Sequence, residues 1–151
     1  MEERMQPDSA VVMYQRAIKQ SMASKDTKLI GLIYNQLGDL YLSHYLFNKS
    51  LLSYQSGLKY NQLFLDKINA SKSLRGIGKS YTYRSMPDSG LIYLSQALQL
   101  SESINDKEEV VRIHNNISNA YFELEQFDEA LKHNIQALNM TKDSTSKYIN
   151  S

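Results

Sequence analysis

Three histidines, His44, His114 and His133, are the residues of this chain best suited to acid–base or metal chemistry. No two of them stand four apart on one helix face, and no acidic cluster joins them. The spacing that aims two imidazoles at one ion is therefore missing, and they read as packing or surface histidines. The stretch "SLRGIGKSY", Ser73–Tyr81, sets glycines, a lysine and a serine together as a phosphate loop does. A phosphate loop needs G-x-x-x-x-G-K with its amides free to cradle the anion; here the spacing differs and the surrounding apolar period is helical. Serine is abundant, yet no nucleophile elbow and no His–Asp partnership is legible. Asn-x-Ser/Thr occurs at Asn48, Asn69, Asn116 and Asn139, as expected of a chain rich in both residue types. The sequence names no catalytic, cofactor-binding or metal-binding residue, and it reads as a non-catalytic protein without a cofactor.

Bulk properties narrow the partner. The 17 basic and 16 acidic residues leave a net charge of +1, which lacks the basic excess of a nucleic-acid binder. With no Cys there is no disulfide and no thiolate ligand, which suits either a reducing cytoplasm or a bacterial periplasm and leaves the compartment open. The charged opening "MEERMQPDS" is not a signal peptide. No apolar run approaches the roughly 18 residues needed to span a bilayer, so direct membrane insertion is not expected.

The elements that must carry any site are helices. Apolar residues recur at three and four positions, as in Leu29, Ile30, Ile33, Leu37, Leu40 and Tyr41. The pattern also repeats along the chain. Tyr41, Tyr81 and Tyr121 are 40 apart, as are Leu37, Ile77 and Ile117, and the small residues Gly38, Gly78 and Ser118. Further registers run through Ala10, Ser50, Gly90 and Ala130, and through Ala17, Gly57, Ala97 and Ala137. Paired antiparallel helices need small residues where their backbones approach, and each pair needs neighbours to bury its remaining face.

Boundaries recur with the same period. Asp26, Asp66, Asp106 and Ser146 are placed to cap the first helix of each pair. Asp8, Asn48, Asp88 and Asp128 are placed to cap the second. Pro7 and Pro87 precede two of these and would end the previous helix. Phe47 and Phe127 precede the others and would pack back as staples. The expected helices are 8–23, 27–44, 48–62, 67–84, 88–103, 107–124 and 128–142.

At these residues the chain resembles the tetratricopeptide repeat (TPR) family. The family order of apolar, small, Tyr, small, aromatic and small reads Leu37-Gly38-Tyr41-Ser50-Tyr54-Gly57 in the first full unit. It reads Ile77-Gly78-Tyr81-Gly90-Leu94-Ala97 in the second and Ile117-Ser118-Tyr121-Ala130-Asn134-Ala137 in the third. The period of 40 exceeds the family's usual 34 and is similar to the repeats of kinesin light chains and bacterial regulators. The resemblance implies an all-α superhelix of about seven antiparallel helices, forming one array over residues 1–151. Residues 8–23 would be a half unit; 27–62, 67–103 and 107–142 would be helix pairs; 143–151 would begin a further unit or form a tail. The array is expected to be cut from a longer one at both ends.

The resemblance also implies where partners bind. In this family the first helices line a concave face, through the second, fifth and ninth residues of each unit. Here those are Leu32, Asn35 and Asp39; Lys72, Arg75 and Lys79; and Arg112, Asn115 and Asn119. Four are cationic and one is acidic, so an acidic peptide or a carboxylate is the expected ligand, with the Asn amides holding its backbone. The alternative is a solvated face. The family's chaperone-tail clamp carries Lys and Asn at the fifth and ninth places of its first unit, where this chain has Asn35 and Asp39. The expected function is non-catalytic protein or peptide binding, within a larger bacterial signalling or regulatory protein. The alternatives are the sensory region of a two-component histidine kinase or DNA-binding regulator, and a scaffold that self-associates through its terminal helices, 8–23 or 128–142.

Overall fold

The computed structural model describes residues 7–25 and 27–149, with side chains described for 9–25 and 27–142. Seven α-helices follow one another among these residues: α1 (Pro7–Ala23), α2 (Ile30–Ser43), α3 (Phe47–Leu63), α4 (Lys67–Tyr83), α5 (Pro87–Ser103), α6 (Lys107–Glu123) and α7 (Phe127–Ile149). A single 3-10 turn, Thr27–Leu29, precedes α2. Successive helices pack as hairpins, α2 with α3, α4 with α5 and α6 with α7. The hairpins stack so that α4 also touches α2, α3 and α6. No described helix is long and apolar enough to cross a membrane.

The turns share one device. Lys25, Tyr45, Leu65, Ser85, Asn105 and Glu125 all take positive φ, between 55° and 61°. This left-handed residue lets the chain leave a helix while the last carbonyls are still satisfied. After α4, Met86 N–H donates to the Tyr81 carbonyl and Ser85 N–H to that of Thr82.

Capping separates the two classes of helix. The Asp66 and Asp106 side chains accept the amides of Asn69 and Glu109, as Asp at this place does. Asp26 lies outside the described residues. The second set corrects the expectation. Leu46 and Met86 occupy the cap positions of α3 and α5 without a side-chain bond, so Asn48 and Asp88 lie two residues past the cap, within the first turn. Asp128 likewise follows Phe127 in the first turn of α7, and Asp8 follows Pro7 in α1. Pro87 opens α5 rather than ending α4, because its missing N–H and fixed φ suit a first helical residue. Phe47 does not fold back as a staple; its ring stacks on Tyr83 across the hairpin ends, with centroids 5.7 Å apart. Position 146 starts no new helix, since α7 runs on through Ile149.

The core follows the repeat. Leu74, Leu94, Ala97, Ile113, Ile117 and Ala120 form one buried cluster, and Leu51, Tyr54 and Ile77 a second. Small residues do bring backbones together: a side chain at Gly78 would meet the Gly90 carbonyl, and Ser118 donates to the Ala130 carbonyl. Gly38 faces the Tyr54 ring instead of a small residue. Buried hydroxyls bridge the stack, with Ser50 bonded to Ser80 and Ser71 to Ser101.

Candidate functional site

The first helices α2, α4 and α6 lie side by side, which puts their outward residues on one face. A groove of about 230 Å³ opens there. Leu32, Asn35, Gln36 and Asp39 come from α2, Asn69, Lys72, Arg75 and Gly76 from α4, Arg112 from α6, and Tyr54 forms part of its wall. Helical spacing of three and four residues explains why each set shares a face.

Charges in the groove are paired unevenly. Glu109, 1% exposed, accepts from Arg75 Nε and lies 3.6 Å from Arg112 Nη1. Arg112 also approaches Glu108 at 3.6 Å. The Tyr54 hydroxyl donates to Asp39 Oδ1 at 2.5 Å. Burial, and then the Asp39 carboxylate beside it, push the Tyr54 phenol well above its ordinary range, so it stays a donor. Lys79 is pulled down, first by burial and then by the Arg75 charge, against the opposing pull of Asp39 and Glu109. Around the groove stand Lys72, Arg75, Lys79 and Arg112 against Asp39, Glu108 and Glu109, so the balance is cationic by one charge.

Residues 69–143, from α4 through α7, match the tetratricopeptide repeat family. Over residues 69–143 the chain belongs to the tetratricopeptide repeat family. Solved structures share its fold. The TPR domain of Arabidopsis FLU aligns with a TM-score of 0.72 at 19% identity, over 78% of this chain and 98% of that one. BtubC (BKLC) from P. vanneervenii aligns with a TM-score of 0.80 at 16% identity, over 92% of this chain; the chain spans 58% of that protein. No curated protein matches. TPR modules generally bind proteins or peptides, and the family is generally a non-catalytic scaffold.

Within this TPR face the residues named from sequence divide. Leu32, Asn35, Asp39, Lys72, Arg75 and Arg112 converge on the groove. Lys79 lines an adjoining recess of about 590 Å³ with Asp39, Leu42, Ser43, Tyr45, Phe47 and Tyr83. Asn115 and Asn119 are exposed on α6, outside the groove lining. Asn35 is buried and spends its amide inside the protein. Its Nδ2 donates to the Asn69 carbonyl, and its Oδ1 accepts from Ser73, which also accepts from Asn61. This corrects its expected role, since a side chain so engaged braces α2, α3 and α4.

Two groups escaped the sequence. Glu109 stands in the first turn of α6, and it is buried with Arg75 reaching across to it from the preceding unit, 34 positions earlier. His114 and His133 carry no helical pairing signal, yet α6 and α7 bring their Nδ1 atoms to 2.9 Å. The spacing of 19 would identify such a pair only once the hairpin geometry is known.

Proposed function

We propose that this TPR array holds an acidic, extended peptide in the groove between α2, α4 and α6. The observation that carries this reading is the convergence of Lys72, Arg75 and Arg112 on one groove, with Lys79 beside it. A near-neutral chain has no general reason to gather cations there. Arg75 is tied to Glu109 and Arg112 stands between Glu108 and Glu109, so Lys72 is the cation best placed to meet a ligand carboxylate, with half-exposed Arg112 beside it and Leu32 as an apolar contact. Lys79 is held partly desolvated, which lowers the cost of pairing it with a carboxylate. The single array over 1–151 is the unit that binds. We place it in a larger bacterial signalling protein, supported by the resemblance of its 40-residue period to arrays in bacterial regulators; the gene on either side tests that placement.

Fluorescence anisotropy with labelled octa-glutamate and octa-lysine peptides tests the groove. Lys72→Glu with Arg112→Glu is expected to weaken octa-glutamate binding at least about tenfold, roughly 1.4 kcal/mol, while helicity is unchanged. Equal affinity for both peptides, or no effect of the two substitutions, defeats the reading.

A further inference from the structure

The turns inside the three hairpins, residues 44–46, 84–86 and 124–126, lie along one edge of the stack. The Phe47 ring stacked on Tyr83 sets the first of them against the second. This edge keeps six large apolar side chains in water: Tyr45, Leu46, Tyr83, Met86, Phe122 and Phe127, between 41% and 80% exposed. All three turns contribute. The opposite edge is not continuous in this way: Leu63, Phe64 and Leu65 are exposed at the α3–α4 turn, but at the α5–α6 turn Ile104 is half-buried and Asn105 is polar. Charge runs in one direction along the apolar edge. The first and third turns hold equivalent places 80 residues apart, where Tyr45, Asn48 and Lys49 correspond to Glu125, Asp128 and Glu129. A recess of about 550 Å³ at the first turn holds Lys49 and Arg84 and no acid. Its counterpart of about 430 Å³ at the third holds Glu125, Asp128 and Glu129 and no cation. Glu129 pairs with Lys132, whereas Glu125 and Asp128 are exposed and enter no ion pair among the described residues. Lys49 and Arg84 lie over the rings of Tyr41 and Tyr81, contacts that use the face of the cation and leave N–H groups for a carboxylate.

We infer that this edge pairs with the same edge of a second copy of the chain, antiparallel, about a two-fold axis at the α4–α5 turn. An isologous contact must be self-complementary, and here the basic end of the edge fits its own acidic end. The two-fold lays the first turn of one copy on the third turn of the other, and does so twice. Lys49 then faces Glu125 and Asp128 of the second copy. Across the axis Arg84 meets Asp88, which is exposed four residues further on and in no ion pair among the described residues. A parallel alignment would set the third turns together, acid against acid, and lose both pairings. The wet apolar side chains of the two edges cover one another, which supplies the attraction, while the charges fix direction and partner. A second copy is thus the occupant whose charge pattern the edge itself specifies. No residue of the groove between α2, α4 and α6 belongs to this edge, so the dimer does not rest on the peptide-binding reading.

Sedimentation equilibrium of the intact chain from micromolar to millimolar concentration tests the proposal, and a reversible monomer–dimer equilibrium is expected. Asn48→Glu with Lys49→Glu makes the first turn acidic, and Glu125→Lys with Asp128→Lys makes the third basic. Each double variant alone should dimerise at least about tenfold more weakly, because like charges then meet at both ends of the contact. An equimolar mixture of the two should recover the dimer as a heterodimer, since every acidic turn again faces a basic one. A variant that merely misfolds gives no such recovery. The chain has no Cys, so Ser85→Cys places a single thiol at the axis. It should form a disulfide dimer under mild oxidation. Asn105→Cys, at the equally exposed left-handed place of a turn on the opposite edge, should not. A monomer at every concentration overturns the inference. So does a dimer indifferent to both double variants, a mixture that associates no better than its components, or equal cross-linking of the two Cys variants.

Discussion

Tyr54 shows how single residues set this fold. Its ring is seated between Gly38 on α2 and Gly76 on α4, where an added methyl at either place would run into the ring. Gly38 belongs to the 40-residue register and is legible in the sequence. Gly76 does not: its counterparts are Gln36 and Asn116, and the need for a glycine arises only because Tyr54 of the preceding hairpin lies over it. Gly76→Ala is expected to destabilise the protein by about 2 kcal/mol, since the ring is held by Asp39 and cannot swing away freely. Urea denaturation measures this. Adding Tyr54→Leu to the Gly76→Ala protein should recover part of the loss, which a simple effect of Ala in a helix would not allow.

At the scale of elements, caps and one inter-helix pair set stability. Asp66→Ala and Asp106→Ala each remove an acceptor for a first-turn amide and are expected to cost about 1 kcal/mol. Asp88→Ala removes only a favourable dipole contact, about 0.3 kcal/mol, because Met86 holds the cap place of α5. Thermal unfolding of the three variants side by side checks the difference. Between α6 and α7, the His114–His133 contact needs one ring as the Nδ1–H donor and the other as a neutral acceptor. Burial pulls both imidazoles down, helped at His133 by the His114 charge and by Lys132, while Glu102 opposes at His114 and Glu129 at His133. Tyr121 stacks on the His133 ring. The unfolded chain therefore takes up protons at higher pH than the folded one. This contribution is complete above about pH 6.5 and is lost as pH falls through the lowered folded values. The melting temperature is expected to fall as pH is lowered below about 6.5, and His133→Asn should flatten that drop.

The whole molecule is a stack in which each hairpin touches its neighbours, and the proposed groove draws on three successive first helices, α2, α4 and α6. A groove that attracts its ligand by charge should weaken with salt. Raising ionic strength from about 0.05 M to about 0.5 M is expected to weaken octa-glutamate binding at least about tenfold, since exposed charges are screened. The sequence alone determined the helices, their pairing and the helical face of the groove, because helix periodicity and a 40-residue repeat are local signals written many times over, as at Leu37, Ile77 and Ile117. Only the tertiary structure decided which polar side chains face a ligand. Asn35 is consumed between three helices and Arg75 is tied to Glu109 from the next unit, contacts 34 to 38 positions apart that no periodicity records. A side chain's availability depends on what lies across the interface, and that is settled only when the hairpins stack.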